Sequence, residues 1–180
     1  MCRLMSASLK PLTVEEFLDW ERAQTSRHEF DGIQPVAMTD GSVAHARVIT
    51  RLTVALSVRV KPPCEAFGSE LKVLTPGRVR YPDASVVCDT PDSEGDTVEP
   101  TVVFEVISPS SVLTDRRVKV MEYASMPRIV VYAILETERP EITVHRRATN
   151  WAFETFAGLD AELPIPEIGV SIPLCAIYAR

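Results

Sequence analysis

The hydrophobic positions of the chain follow a helical period before residue 62 and a strand-like period after it. A capping box at residues 13–16 predicts a short helix that runs to about Ala23. Residues 42–60 carry apolar side chains at every third or fourth position, which predicts a long amphipathic helix that ends at a double proline. Between the two helices, residues 27–38 predict an extended segment with an Asp-Gly hairpin turn in its middle.

The second half of the chain is rich in β-branched residues and predicts a sheet. The predicted strands are residues 65–74, 83–88, 101–107, 129–135, 141–147 and 151–157, with a short strand and a helical turn in 170–180. A turn at residues 108–111 leads to a helix over about residues 114–124. The pattern predicts one mixed α/β (α+β) domain over residues 1–180, in which a central mixed sheet is flanked by helices and residues 1–10 form a flexible N-terminus.

Composition excludes several classes of protein. No apolar run approaches the length of a membrane span, and residues 1–10 lack the apolar segment of a secretory signal, so we expect a cytoplasmic protein without a membrane partner. The net charge of −6 argues against a protein that mainly coats nucleic acid, because phosphate binding requires a basic surface. Residues 41–64 contain four basic and no acidic side chains, which indicates either a local basic face or an ordinary solvated helix face.

Neither the cysteines nor the acidic run of the chain forms a metal-binding motif. The four cysteines are scattered without the close pairs that a zinc site requires, so we expect reduced thiols. Residues 89–99 hold five acids but lack the glycine placement of a calcium-binding EF-hand, which predicts a polar loop.

Two acids stand inside β-branched runs that otherwise predict buried strands. Asp83 begins one run and Glu105 lies in the middle of the next. A carboxylate in a buried strand is costly unless it is paired, hydrogen-bonded or bound to a metal. Two of them on neighbouring strands suggest a site for Mg²⁺ or Mn²⁺, which prefer oxygen ligands. The alternative is that each acid marks a strand end and forms a salt bridge.

A lysine near such a site would orient the attacking water or stabilise the developing negative charge. Position 107 is isoleucine, so this lysine cannot come from the strand of Glu105. Lys119 on the following helix is the candidate, with Asp115 one turn before it and Tyr123 one turn after it on the same face. The alternative for Lys119 is a surface lysine paired with Asp115.

Several motifs occur in a fixed order over nearly the whole chain, from about Leu12 to the C-terminus. They are Glu29-Phe30-Asp31-Gly32, His45 within a helix, Gly68-Ser69-Glu70-Leu71-Lys72-Val73, Tyr81-Pro82-Asp83, Phe104-Glu105-Val106-Ile107-Ser108-Pro109-Ser110-Ser111, and then Asp115, Lys119 and Tyr123. In this order the sequence resembles the Uma-two family, a group of proposed endonucleases with the PD-(D/E)xK, restriction-endonuclease-like fold.

The resemblance implies a mixed sheet flanked by helices and a metal-dependent site that hydrolyses the phosphodiesters of nucleic acid. It implies that Asp83 and Glu105 bind the metal. It also implies that Lys119 is a lysine moved from the strand to the helix, and that Glu29 is an upstream acid that completes the site. His45 matches a family histidine to which we assign no role, and many members are implied to be homodimers.

The leading hypothesis is an endonuclease that depends on Mg²⁺ or Mn²⁺ and hydrolyses nucleic acid, with DNA as the expected substrate. Its candidate catalytic residues are Glu29, Asp83, Glu105 and Lys119. The candidate contacts to nucleic acid are His45, Arg47, Arg51, Arg78 and Arg80, although each arginine taken singly fits a solvated surface residue equally well. Two alternatives stay open: a non-catalytic nucleic-acid-binding or regulatory module that keeps the nuclease fold, and a phosphodiesterase acting on a small nucleotide. No DNA-reading motif can be recognised in the sequence, which favours the first alternative.

Overall fold

The computed structural model describes residues 11–38, 41–89, 94–107 and 114–179. Within these ranges the helices are α1 (Val14–Glu21), α2 (Val43–Ser57), α3 (Val120–Ser125) and α4 (Leu174–Tyr178), with a π-helical segment (Thr114–Lys119) running directly into α3. None of these helices has the length and apolarity needed to cross a membrane. The N-terminus predicted to be flexible and the turn predicted at 108–111 lie outside the described residues.

A six-stranded mixed sheet forms the centre of the described structure. In spatial order its strands are β10 (Phe153–Ala157), β9 (Glu141–Arg146), β8 (Val131–Glu136), β7 (Val102–Ile107), β6 (Ala84–Val87) and β3 (Glu65–Gly68). The two central strands β7 and β8 run parallel, and the other neighbours are antiparallel. A parallel pair requires a crossover connection, and the segment that includes the π-helix and α3 supplies it.

Two smaller sheets complete the architecture that the structure describes. A four-stranded antiparallel sheet contains, in spatial order, β2 (Pro35–Ala37), β1 (His28–Phe30), β5 (Arg78–Arg80) and β4 (Val73–Thr75). A two-stranded ribbon contains β11 (Glu162–Ile165) and β12 (Val170–Pro173).

Every residue of the middle strands β6 and β7 is buried, because apolar side chains and the elements packed on them cover both faces of the central sheet. On one face, Phe104 packs in a cluster with Leu52 of α2. On the other face, Val103 packs in a second cluster with Tyr123 of α3. Side chains alternate along a strand, so Glu105 lies on the face of Val103 and Tyr123. The sheet therefore directs a carboxylate towards the helix that carries Lys119.

The predicted mixed α/β fold with a central mixed sheet is confirmed, and so are the first two helices and the hairpin between them. The single strand predicted over residues 65–74 is wrong, because β3 and β4 belong to different sheets. Between them, Lys72 forms an isolated bridge with Thr97. The sequence does not predict β5 and β11, which are only three and four residues long.

The structure joins Cys64 and Cys88 in a disulfide, contrary to the expectation of reduced thiols. The two cysteines stand next to Glu65 and Val87, which pair across β3 and β6. The antiparallel register therefore brings together two thiols that are 24 residues apart in the sequence. Cys175 is free and exposed.

Candidate functional site

Asp83 and Glu105 meet at one end of the ladder between β6 and β7. In this ladder Ala84 pairs with Phe104 in antiparallel register, so the next step places Asp83 opposite Glu105. Residues directly opposite each other in an antiparallel pair share a face. A hydrogen bond fixes the end of the ladder, since the backbone N–H of Val106 donates to Asp83 Oδ2 at 2.7 Å.

Glu105 is buried, and one of its oxygens accepts two hydrogen bonds. Lys119 Nζ donates to Glu105 Oε1 at 2.8 Å, and the Tyr123 hydroxyl donates to the same oxygen at 3.1 Å. Burial first, and the charges of Glu105 and Glu29 second, raise the pKa of Tyr123 well above its ordinary value. The tyrosine therefore stays protonated and acts as a donor, which fixes the orientation of the carboxylate.

Lys119 also contacts the third candidate acid. Its Nζ lies 3.3 Å from Oε1 of Glu29, which belongs to β1 of the four-stranded sheet. Lys119 is the last residue of the π-helical segment, and such segments are rare and frequently occur at functional sites. The structure thus brings Glu29, Glu105 and Lys119 together from three different elements. The alternative partner Asp115 has a side chain outside the described part of the chain.

Arg80 links Glu29 to the helix that follows Lys119. Its guanidinium donates to Glu29 Oε2 at 2.9 Å and to both oxygens of Glu122 at 2.8 Å, and only 3% of its side chain is exposed. Burial lowers the pKa of Arg80, but the hydrogen bond to Glu122 and the charge of Glu29 outweigh it and raise this pKa above its ordinary value. Arg78 pairs with Glu122 as well. A buried, fully engaged Arg80 does not fit the predicted contact to nucleic acid, and it has a structural place in this network instead.

His45 and Asp83 both bind the backbone of Val106. Its Nε2 lies 2.8 Å from the carbonyl oxygen of Val106 and 3.6 Å from Asp83 Oδ2. Since a carbonyl only accepts, the Nε2–H of His45 donates to Val106. The amide N–H of Val106 is therefore bound by Asp83 and its carbonyl by His45, next to Glu105 in the sequence. This connection ties α2 to the end of β7.

An open cleft of about 790 Å³ gives access to one side of this arrangement. Asp83 and His45 line it, whereas the buried Glu105 and Lys119 do not belong to its lining. A ligand in the cleft therefore meets Asp83 first, with Glu105 and Lys119 behind it.

The same cleft is lined by an ionic cluster that the sequence reasoning missed. Lys72 Nζ lies 2.7 Å from Asp96 Oδ2 and 3.3 Å from Glu21 Oε2, and the Tyr81 hydroxyl donates to Glu21 at 2.8 Å. Burial and the hydrogen bond to Glu21 raise the pKa of Tyr81 above its ordinary value. The signal available in the sequence is that Lys72 directly precedes a short apolar run, where a lysine needs a partner to be buried.

The remaining predicted contacts lie elsewhere. Arg47 is exposed on α2. Arg51 donates to the carbonyl oxygens of Ile177 and Ala179 at the end of α4. Both arginines line a separate hollow of about 620 Å³. The structure does not bring them to the cleft that contains Asp83.

The donor chemistry of Asp83 and Glu105 fits a hard divalent cation. Magnesium usually takes one or two carboxylates and keeps several waters, so two acids at the end of one ladder are a sufficient protein contribution. Among the residues that the structure describes, no group of three or more His, Cys, Asp or Glu side chains is placed to hold a metal ion. The fit therefore rests on these two carboxylates and water.

Comparisons with known proteins give a consistent result. The Uma2 family model, described as "Putative restriction endonuclease", matches residues 14–174. The uncharacterized protein slr1290 of Synechocystis is 31% identical over 180 residues, covering 96% of this chain and 94% of that protein. A second uncharacterized Synechocystis protein, sll1609, is 22% identical over 169 residues, covering 89% and 96%.

One solved structure has the same fold. It is the crystal structure of a protein from Anabaena variabilis that is described as a "putative nuclease belonging to DUF820". The TM-score is 0.78 with 18% sequence identity, and the match covers 93% of this chain and 97% of that one.

Proposed function

The chain belongs to the Uma2 family, and we propose that it is a metal-dependent endonuclease that hydrolyses phosphodiester bonds in nucleic acid. The observation that carries the proposal is the meeting of Asp83 and Glu105 at the end of one strand ladder, with the Lys119 ammonium 2.8 Å from Glu105. Two carboxylates can hold a cation that assists phosphodiester hydrolysis, and an ammonium group can stabilise the negative charge that develops.

Asp83 and Glu105 would hold the ion, and Mg²⁺ or Mn²⁺, when bound, would supply Lewis acidity and a more acidic water. Asp83 presents its carboxylate to the cleft, so it is the acid that a bound substrate approaches first. Glu105 stays fixed in the interior by the hydroxyl of Tyr123. The two proposed ligands therefore differ in access: Asp83 lines the cleft, and Glu105 lies buried behind it.

Lys119 would stabilise negative charge that develops at the phosphate and orient the attacking water. Its position is fixed by Glu105 and by Glu29, which lies 3.3 Å from the ammonium group. Glu29 is held in turn by Arg80. We therefore assign Glu29 the role of keeping Lys119 in place rather than that of a third metal ligand.

Incubation with supercoiled plasmid, single-stranded DNA, RNA and linear dinucleotides, each with Mg²⁺ or Mn²⁺, tests the proposal. We expect metal-dependent cleavage of a polymer by the wild type and a loss of about 100-fold or more in Asp83→Asn and Lys119→Met. Asp160→Asn and Lys61→Gln remove the same charges from exposed positions and should retain activity. Full activity of Asp83→Asn would exclude the metal site, and full activity of Lys119→Met would exclude the role of the lysine. Cleavage restricted to dinucleotides would favour a small-nucleotide phosphodiesterase.

A non-catalytic nucleic-acid-binding module is the second candidate. One observation favours it: the buried Lys119 is closely paired with two carboxylates, which opposes a direct role of its ammonium group at a phosphate. Binding of nucleic acid without cleavage under any divalent ion would support this reading.

The proposal extends to the substrate, the compartment and the oligomeric state of the protein. We propose that the protein acts on DNA in the cytoplasm, and that it forms a homodimer, as the family resemblance implies for many members. Sedimentation of the purified chain tests the dimer, and a monomer at all concentrations would exclude it.

A further inference from the structure

Lys72 lines the cleft that contains Asp83, and its two carboxylate partners differ in their exposure to solvent. Lys72 is 10% exposed at its side chain and lies between the buried Glu21 and the largely exposed Asp96, whose side chain is 66% exposed. All three residues line the cleft together with Asp83 and His45. A ligand that enters the cleft can therefore approach the ammonium group from the side of Asp96.

The two carboxylates differ in what else holds them. Glu21 accepts hydrogen bonds from the Tyr81 hydroxyl at 2.8 Å and from the backbone N–H of His28 at 3.2 Å. Asp96, in contrast, owes its lowered pKa first to the hydrogen bond from Lys72, with a smaller contribution from Thr97. Glu21 is thus a fixed counter-ion, while Asp96 is an exposed partner that can be exchanged.

The loop of Asp96 does not depend on this ion pair for its position. The backbone N–H of Lys72 donates to the carbonyl of Asp96 at 2.7 Å, and the N–H of Val98 donates to the carbonyl of Lys72 at 2.9 Å. An ion pair with an exposed partner contributes little to stability. Loss of the Asp96 carboxylate from the ammonium group would therefore leave the loop in place.

The charges of the cluster also favour exchange. Lys72 and Glu21 neutralise each other, so Asp96 is the excess negative charge of this group of three residues, in a cleft that, on the proposed function, receives a phosphodiester. A phosphate oxygen and a carboxylate oxygen make the same kind of charge-assisted hydrogen bond with an ammonium group.

We propose that Lys72 is a phosphate-binding residue of the cleft, and that the Asp96 carboxylate occupies its ammonium group until a substrate phosphodiester replaces it. The proposal rests on the proposed function, because that function brings a phosphodiester to Asp83 in the same cleft. It adds a binding residue outside the predicted catalytic set and a carboxylate that competes with the substrate.

Fluorescence anisotropy without divalent metal, using a labelled DNA duplex and a labelled linear dinucleotide, tests the exchange. We expect Asp96→Asn to bind the duplex at least about threefold more tightly than the wild type, because the competing charge is removed. Glu99→Gln is the matched control, because it also removes one negative charge from this loop. Glu99 pairs with the exposed Arg128 and not with Lys72. Its affinity should change less than about twofold, because exposed charges at a distance are screened.

The double variant Lys72→Gln/Asp96→Asn assigns the effect to the lysine. It should lose the gain of Asp96→Asn, and the slope of log affinity against log salt on the duplex should fall by about 0.9, the value for one lost phosphate contact. Lys61→Gln/Asp96→Asn removes an exposed lysine instead and should keep the gain.

Three results separate the failures. Equal affinities of Asp96→Asn and Glu99→Gln would overturn the exchange while leaving the nuclease proposal intact. Weaker binding by Asp96→Asn together with a lower melting temperature would also overturn it, because the ion pair would then only hold the loop. No binding of either probe by any variant would defeat the proposed function itself, and the exchange with it. A gain seen with the dinucleotide alone would keep Lys72 as the phosphate site and identify a small nucleotide as its source.

Discussion

Replacing Gly41 by alanine is expected to displace His45 and so to loosen the end of β7. A Cβ added at Gly41 would lie 2.5 Å from Nδ1 and 3.2 Å from Cγ of His45. Ordinary contacts between such atoms lie at about 3.5–4.0 Å, so the methyl group and the ring overlap by roughly 1 Å. The backbone of Gly41 is outside the left-handed region, so the substitution itself carries no conformational penalty there.

The cost follows from what the ring must give up. We expect the ring of His45 to move away from the new methyl group and to lose its 2.8 Å hydrogen bond to the carbonyl of Val106. Losing such a bond costs about 0.5–1.5 kcal/mol, and more if the carbonyl is left without a partner. We expect Gly41→Ala to lower the free energy of unfolding by about 1–2 kcal/mol, which corresponds to roughly 2–8 °C in melting temperature for a chain of this size.

Urea unfolding of four variants measures this coupling. Gly68→Ala is the matched control, because an added Cβ at Gly68 meets nothing within 4 Å. In a His45→Ala background, Gly41→Ala should cost nothing or stabilise by up to about 1 kcal/mol, since alanine restricts the unfolded chain. An equal loss from Gly41→Ala with and without the imidazole would refute the reasoning, and so would no loss in the wild type.

Three further predictions concern stability. Arg80→Met should lower the free energy of unfolding in urea by about 3 kcal/mol, because Glu29 and Glu122 lose the buried guanidinium that joins them. Glu29 keeps Lys119 and Glu122 keeps Arg78 as partners, which holds the loss at the lower end for a broken buried pair. A loss below about 1 kcal/mol would contradict the network. Burial raises the pKa of Glu122, but the hydrogen bond and the charge of Arg80 outweigh burial and hold this pKa below its ordinary value of 4.5. The ionised Glu122 therefore stabilises the fold fully above about pH 4.5, and this stabilisation is lost as the pH falls through the pKa of the folded state. The stability gap between the wild type and Glu122→Gln should accordingly narrow between pH 7 and pH 3.5, and a constant gap would count against this pairing. The free energy of unfolding of the oxidised wild type should exceed that of the Cys64→Ala/Cys88→Ala variant by about 3.5 kcal/mol, which is the chain-entropy estimate for a loop of this length. Equal urea midpoints of the two proteins would speak against a disulfide in solution.

The periodic parts of the fold could be predicted from the sequence. The capping box of α1 and the apolar stripe of α2 are local patterns, and the structure has both helices where these patterns place them. The prediction of a single strand over residues 65–74 was wrong, because an apolar run does not reveal which sheet its residues join. Gly68 ends β3, and Lys72 then bridges to Thr97 before β4 begins in another sheet.

The candidate site likewise contains residues that could be predicted from the sequence and contacts that could not. The order of the motifs predicts Asp83, Glu105 and Lys119 as a group, because alternation along β7 and helical spacing after it are both local rules. Of their partners, Tyr123 follows from helical spacing and Glu29 only from the family resemblance. The contacts of Arg80 and Lys72 join distant segments and could not be predicted. Arg80 was assigned to the surface because a short strand gives no periodic signal, yet it is buried between two carboxylates. The pairing of Lys72 with Asp96 depends on a loop bridge that no sequence pattern shows.

The most direct test of the central claim is the position of a bound cation. Crystals grown with Mn²⁺ should show an anomalous density peak in contact with carboxylate oxygens of both Asp83 and Glu105, and Asp83→Asn crystals grown in the same way should lack it. A peak that contacts neither carboxylate, or no peak at saturating Mn²⁺ while the two side chains keep their present partners, would contradict the account.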